Sequence, residues 1–223
     1  MTDERIASTS RTVGLVAAAL VALVAAGVAL AASPTKEKIR FTKAGQAQAK
    51  AEVLRKRDLG AGWRGGAKKP DLSSTFPDCN YRPKQSDLVL NGAAETAWQQ
   101  QLSAIDGEVQ VLQTARMVRL DWQRTVLAPQ VTPCLRRSFA KGVAQGGKVV
   151  SFGQVAFPRV AKMTRAYRGV LQLSGLGRFE IDVVAFGARR NELTLTVSGP
   201  SSASASLRKT ELRLARLLVA RLR

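Results

Sequence analysis

The chain has 223 residues, of which 35 are lysine or arginine and 16 are aspartate or glutamate, so its net charge is +19 at pH 7. It contains two cysteines and no histidine, which excludes Ser-His-Asp and Cys-His nucleophile systems and histidine-ligated metal sites. The excess of positive charge points to anionic partners, such as lipid head groups and cell-envelope polymers.

An unbroken run of apolar and small residues occupies positions 13–32. Twenty helical residues rise about 30 Å, which is the thickness of the hydrocarbon core of a bilayer. We therefore predict a cytoplasmic tail over 1–11, a transmembrane helix or signal anchor over 12–32 and a stalk over 33–41. A cleaved signal peptide is the alternative, because Ala29-Leu30-Ala31 has the small-x-small pattern of a cleavage site.

The charges that flank this run conflict with the orientation that we predict. Basic loops normally stay in the cytoplasm, yet more basic residues follow the run than precede it. Arg5 and Arg11 lie before it, and Lys36, Lys38, Arg40 and Lys43 lie after it. We nevertheless place the remainder of the chain outside the cytoplasm, because residues 1–11 are too few for a domain and the cysteines favour an oxidising compartment.

Residues 42–223 are predicted to fold as one α+β domain, in which an antiparallel sheet of five to six strands is flanked by helices. A first helix is expected over 44–57, which is rich in good helix formers. Two glycines end it within 58–62, and Trp63 is expected in the core. The chain from 64 to 87 is expected to be a loop, because its glycines and prolines leave no periodicity.

Cys79 lies inside this expected loop, and 54 residues separate it from Cys134. That spacing is too long for a compact metal motif. We predict a disulfide between the two, with two buried free thiols as the alternative. Closing a loop of this length stabilises a fold by about 4 kcal/mol in the chain-entropy model. The crosslink would hold down a segment that can bury little apolar surface.

Asn91-Gly92 predicts a tight hairpin turn between strands at 88–90 and 95–102, because this dipeptide tolerates positive φ angles. Four further strands are expected, of which the last alternates most strictly: 149–157, 165–173, 178–186 and 192–197. Residues 107–111 also alternate. Three further helices are expected, of which the last has leucines on one side and basic residues on the other: 115–127, 132–143 and a C-terminal helix after Pro200.

Carboxylates are the remaining candidates for catalysis. Six acidic residues could supply the pair that a glycosidase requires: Asp71, Asp78, Asp106, Glu108, Glu180 and Asp182. Their spacing selects no pair, and Glu180 with Asp182 fits the solvated side of a strand. We therefore predict no catalytic residue, no cofactor and no metal.

Several short motifs occur in a recognisable order between residues 42 and 221. They are a helix that ends at Asp58-Leu59-Gly60-Ala61-Gly62-Trp63, the loop cysteine Cys79, Leu88-Val89-Leu90-Asn91-Gly92, and Cys134-Leu135 on a helix in the middle of the chain. In this order the chain resembles the extracytoplasmic sensor-type domains of bacterial membrane serine/threonine kinases and their stand-alone membrane or secreted relatives.

The resemblance implies a sheet cradled by helices around a ligand cleft, with no catalysis in the domain itself. The chain departs from the kinase-linked form in two respects. It can form one disulfide where two are expected, and residues 1–11 hold no kinase domain.

These patterns together predict a membrane-anchored, extracytoplasmic, non-enzymatic binding or sensor-like accessory protein of the bacterial cell envelope. Its partners would be the cytoplasmic membrane and an anionic lipid, an envelope polymer or an envelope protein. Nucleic acid is the least favoured partner, because aromatic residues make up 5% of the chain and its binders usually interleave aromatic with basic residues. The alternatives are a secreted domain that binds anionic polymers or lipids, and a carboxylate-dependent envelope hydrolase.

Overall fold

The computed structural model describes residues 37–72, 79 and 81–222. The predicted tail, the predicted transmembrane segment and the first residues of the predicted stalk lie outside the described residues. Within the described part of the chain, no helix is both long and apolar enough to cross a membrane.

An eight-stranded sheet forms the centre of the domain. Its strands are β1 (Lys38–Ile39), β2 (Arg64–Lys68), β3 (Val89–Gln100), β4 (Ser103–Leu112), β5 (Gly147–Val155), β6 (Met163–Leu173), β7 (Gly177–Ala188) and β8 (Asn191–Pro200). The order is β1-β3-β4-β8-β7-β6-β5, and β2 also pairs with β3. Among the described strands, β1 pairs in parallel and the others pair antiparallel. The α+β prediction is confirmed, but five to six strands was too few.

Helices cover both faces of this sheet. They are α1 (Lys43–Glu52), α2 (Lys56–Leu59), α3 (Ala115–Asp121), a π-helix (Trp122–Val126), α4 (Val131–Val143) and α5 (Ser204–Arg221). The hydroxyl of Thr42 caps α1 by accepting a hydrogen bond from the N–H of Gly45 at 2.9 Å. We name the two sides of the sheet the α1/α5 face and the α4 face.

The alternation along each strand divides the core between these faces. On the α1/α5 face, Leu193 and Leu195 of β8 belong to the same buried cluster as Leu214 and Leu218 of α5. On the α4 face, a second cluster joins residues of β6 and β7 to α4: Tyr167, Ile181, Val183, Leu135 and Phe139. The leucine side predicted for the C-terminal helix is therefore the side that packs on the sheet.

The hairpin turn predicted at Asn91-Gly92 is wrong, because β3 continues through both residues. A β-bulge interrupts the register between Leu90 and Gly92, and the chain turns instead at Gln101, which has a φ of 53°. A Cβ on Gly92 would lie 2.2 Å from the carbonyl oxygen of Gly45. Gly92 is therefore needed for the close approach of α1 to β3, not for a turn.

Two segments predicted without regular structure join the sheet. Residues 64–68 form β2, although glycines weaken the strand pattern there. Part of the predicted stalk forms β1, whose residues pair with Val89 and Leu90. Trp63 is 7% exposed and lies in the core as predicted.

Candidate functional site

Acidic and basic side chains are sorted between the interior and the surface of the domain. Of the acidic residues that the structure describes, Asp71 and Asp87 alone are exposed. In α1, α2 and α5, the acidic residues Glu52, Asp58 and Glu211 are all buried. The exposed charged residues of these helices are all basic: Lys43, Lys50, Lys56, Arg57, Arg208, Lys209, Arg213 and Arg216. We call this set the basic helical surface.

Contacts between elements explain why the acidic residues face inward. Arg221 of α5 donates two hydrogen bonds to the carboxylate of Asp58, at 2.6 and 2.9 Å, and the N–H of Arg55 donates a third at 2.7 Å. Burial alone would raise the pKa of Asp58, but these hydrogen bonds and the charge of Arg221 outweigh it and lower the pKa. The ionised carboxylate thus joins α2 to the end of α5.

The expectation that Glu180 and Asp182 lie on a solvated side of β7 is wrong. Arg168 donates two hydrogen bonds of 2.6 Å to Asp182, and Arg208 donates one of 2.9 Å to Glu180. Asp182 is 7% exposed. Both carboxylates lie on the α1/α5 face, where they form ion pairs between β6, β7 and α5.

Polar residues extend in a row across four strands on the α4 face. The pairing register places Lys68 beside Glu95, Glu95 beside Glu108, and Glu108 beside Thr194. Lys68 Nζ lies 2.9 Å from Glu95 Oε1. Two acidic residues directly opposite each other are unfavourable while both are charged. We call these residues, together with Asp106 on β4, the acidic row.

Two members of the acidic row, Asp106 and Glu108, have raised pKa values. Asp106 is 8% exposed, and neither of its carboxyl oxygens has a hydrogen-bond partner among the described residues. Burial raises its pKa to about 7, against the charge of Lys68, which lowers it. Burial likewise raises the pKa of Glu108 to about 7, although Gln110 donates a hydrogen bond of 2.8 Å to it. Both groups therefore bind a proton more tightly than an exposed carboxyl group does.

The structure thus brings together two pairs among the six candidate carboxylates, Glu180 with Asp182 on β7 and Asp106 with Glu108 on β4. Asp106 and Glu108 lie two residues apart on one side of β4, which places their Cα atoms about 7 Å apart. Asp71 lies near the same row, because its N–H donates a hydrogen bond of 3.3 Å to Glu95. Asp78 lies outside the described residues.

Sequence reasoning missed a second buried acidic pair. Asp121 of α3 accepts a hydrogen bond of 2.6 Å from Gln85 and forms another with Glu192 of β8. Burial raises the pKa of Asp121 to about 6. Burial and the nearby charge of Asp121 raise the pKa of Glu192 well above its usual value. The hydrogen bond between these two carboxyl groups requires that the pair holds a proton.

The predicted disulfide between Cys79 and Cys134 is present, with the two Cα atoms 5.4 Å apart. Cys134 is fully buried in α4, and Cys79 packs against the same apolar cluster. The bond therefore ties the connection between β2 and β3 to the helix that covers the α4 face. The ion pair between Arg124 of the π-helix and Asp87, at 2.7 Å, also links this connection to a neighbouring helix.

An open groove of about 580 Å³ lies between residues 144–148 and residues 172–177. Lys148 is the one charged residue that lines it, and much of the lining is the backbone of glycines. The groove contains no member of the acidic row. The polar side chains that line it are those of Gln145, Lys148, Gln172 and Ser174.

No family model and no curated protein matches the chain. Among solved structures, it is similar to the extracellular domain of PknH from Mycobacterium tuberculosis, with 10% identity, a TM-score of 0.46, and coverage of 77% of this chain and 96% of that one. It is also similar to an uncharacterized protein, the Rv0999 ortholog from Mycobacterium smegmatis, with 11% identity, a TM-score of 0.41, and coverage of 74% and 92%. A third is the solution structure of cyanobacterial PsbP from Synechocystis sp. PCC 6803, with 9% identity, a TM-score of 0.38, and coverage of 76% and 91%. The first of these three structures is an extracellular domain, as is the type of domain that the sequence motifs resemble.

Proposed function

We propose that this chain is a non-enzymatic binding domain of the bacterial cell envelope, held in the cytoplasmic membrane by residues 12–32 and displayed outside the cytoplasm. The disulfide supports this location, because disulfides persist in oxidising compartments. A secreted form that lacks residues 1–31 is the alternative. Cell fractionation separates the two, since the secreted form would be found in the medium.

The basic helical surface is the observation that carries the binding proposal. Its eight exposed basic residues have no exposed acidic residue among them in α1, α2 or α5. A surface charge of one sign attracts polyanions over several ångströms, because no neighbouring charge cancels its field. We propose an anionic envelope polymer as the ligand. An anionic lipid or an acidic envelope protein is the other partner that this charge allows.

Two variants of equal charge test the proposal. The first replaces Lys50, Lys209 and Arg216 of the basic helical surface with glutamine. The control replaces Arg136, Arg137 and Lys148, which are exposed on α4 and β5, with glutamine. Binding of the full chain to a phosphate-bearing envelope polymer is then measured in a salt series.

We expect the first variant to bind about tenfold more weakly near 0.1 M salt and with a smaller salt dependence, because fewer counterions are released. The control should bind as the unsubstituted chain does. Equal losses in both variants, or binding insensitive to salt, would contradict the proposal.

We infer that the domain is not an enzyme because the carboxyl pair of Asp106 and Glu108 lacks an open approach, and the other paired carboxyl groups described above are held in ion pairs or buried together. Asp106 is 8% exposed and its row is partly covered, whereas a glycosidase holds its two carboxyl groups on either side of a bound sugar. Hydrolysis of an envelope polysaccharide that stops in the Asp106→Asn variant would contradict this inference.

A further inference from the structure

The segment that leads into α1 carries two neighbouring exposed apolar side chains. Ile39 is 51% exposed and Phe41 is 45% exposed. The other large apolar residues that are exposed in the described part of the chain stand far apart in sequence: Leu102, Leu127 and Val150. Single exposed apolar residues need no explanation, whereas Ile39 and Phe41 are near neighbours on one segment.

Basic residues frame this pair. Lys38, Arg40 and Lys43 are all exposed and alternate with Ile39 and Phe41 or follow them. We call residues 38–43 the juxtamembrane patch. The adjacent Glu37 does not offset its charge, because burial, with the charges of Asp121 and Glu108, raises the pKa of Glu37 to about 9 and keeps it neutral at pH 7.

The patch is fixed to the body of the domain. The N–H of Lys38 donates to the carbonyl oxygen of Leu88 at 3.1 Å, that of Arg40 to Leu90 at 2.9 Å, and that of Thr42 to Asn91 at 2.9 Å. In such an extended backbone, residues two apart point to the same side. Ile39 and Phe41 are therefore presented together by a rigid edge of the sheet.

The length of chain before the patch limits its distance from the membrane. Four residues, at positions 33–36, separate the end of the apolar run at position 32 from Glu37, and the five Cα-to-Cα steps from 32 to 37 span at most about 18 Å when fully extended. Apolar side chains mixed with lysine and arginine suit the interface of an anionic bilayer, where the apolar groups enter the boundary of the acyl chains and the basic groups meet the lipid phosphates.

We propose that the juxtamembrane patch lies on the anionic phospholipid bilayer that holds the apolar run, so that the domain is fixed in one orientation against the membrane. The inference rests on the proposed membrane anchor. The occupant of the patch is the lipid interface and not a second protein, because the short connection keeps this edge at the bilayer and its charge is opposite to that of the lipid.

Tryptophan fluorescence in proteoliposomes tests the inference with the full chain. The vesicles contain neutral and anionic phospholipids, with and without bromine on the acyl chains. One variant carries Phe41→Trp. The matched control carries Val150→Trp, because Val150 is 43% exposed and lies on β5, six inter-strand steps or about 29 Å across the sheet from β1. The native tryptophans are buried and supply a common background: Trp63, Trp98 and Trp122.

We expect brominated lipid to lower the fluorescence of the tryptophan at position 41 by about half, because the side chain would enter the interface by roughly 5 to 10 Å. The control tryptophan should be unaffected. Replacing Lys38, Arg40 and Lys43 with glutamine should weaken the quenching, as should vesicles without anionic lipid.

Flotation of the same vesicles separates a failure of the membrane anchor from a failure of the juxtamembrane patch to contact the bilayer. A chain that floats with the vesicles but shows no quenching at position 41, or equal quenching at positions 41 and 150, overturns the inference and leaves the anchor intact. A chain that fails to float overturns both the anchor and the inference.

Discussion

Gly45 and Gly92 set the distance at which α1 packs on β3. A Cβ on Gly45 would lie 2.3 Å from the carbonyl oxygen of Asn91, and one on Gly92 would lie 2.2 Å from the carbonyl oxygen of Gly45. Both contacts are with backbone atoms, which cannot move aside without displacing the whole element. The two glycines therefore allow a direct backbone-to-backbone approach of helix and strand.

The Gly92→Ala variant should destabilise the domain by about 2 to 3 kcal/mol, because the added methyl group must push α1 away from the sheet. Chemical denaturation measures the loss. Gly66→Ala on β2 is the matched control, since a Cβ there meets no atom within 4 Å. We expect the control to be neutral or slightly stabilising. Equal stability of the two variants would show that the close approach has no energetic weight.

The same residue shows where sequence reasoning fails at this scale. Asn91-Gly92 has the chemistry of a primed turn, but the glycine serves a contact with a helix more than forty residues earlier in the chain. Glu192 is a similar case. The alternation of β8 places it opposite the leucines, on a side that sequence reasoning treats as solvated, and its burial comes from Asp121 of α3. No local pattern reports either contact, whereas the bulk of Trp63 alone was enough to place it in the core.

At the scale of elements, prediction succeeded for the long strands of the C-terminal meander. Strands β6, β7 and β8 are long and alternate clearly, and short turns join them. The strands that were missed are short or rich in glycine. β1 has two residues, and β2 contains Gly65 and Gly66. Both depend on β3 for their hydrogen bonds, so their order comes from tertiary pairing and not from their own sequence.

The disulfide joins two elements of the fold. Its removal should lower the free energy of unfolding by about 3 to 4 kcal/mol. The bond closes a sequence separation of 55 residues and fixes the β2–β3 connection to α4. The Cys79→Ala/Cys134→Ala variant should lose this amount in denaturant unfolding and should not respond to reductant. An unsubstituted chain that keeps its unfolding midpoint after complete reduction, as verified by mass, would refute this account.

For the whole molecule, the burial of carboxyl groups predicts how stability depends on pH. An acidic group whose pKa is higher in the folded chain than in the unfolded chain binds more protons when folded, at every pH between the two values. Its contribution is therefore greatest below the unfolded pKa and is lost as the pH rises through the folded pKa. Asp106, Glu108 and Glu211 all behave in this way, with pKa values of about 7, 7 and 8.

We expect the domain to be more stable at pH 5 than at pH 7.5, with Asp106 alone accounting for about 2 kcal/mol of the difference. The Asp106→Asn variant removes this titration and should flatten the dependence by that amount in denaturant unfolding at several pH values. Asp87→Asn is the control. Asp87 is exposed, and a hydrogen bond from Arg124 lowers its pKa to about 2, so its loss should leave the slope unchanged. An identical slope in the Asp106 variant would disprove the assignment.

The order of the strands in the sheet also determines when each strand can pair during synthesis. β4 lies between β3 and β8, and about 80 residues separate the end of β4 from the start of β8, which a ribosome needs roughly 4 to 16 s to translate. Throughout that interval one side of β4 has no strand to pair with, and an open strand edge is a template for association with other chains. The N-terminal half therefore keeps an open strand edge until β8 has been made.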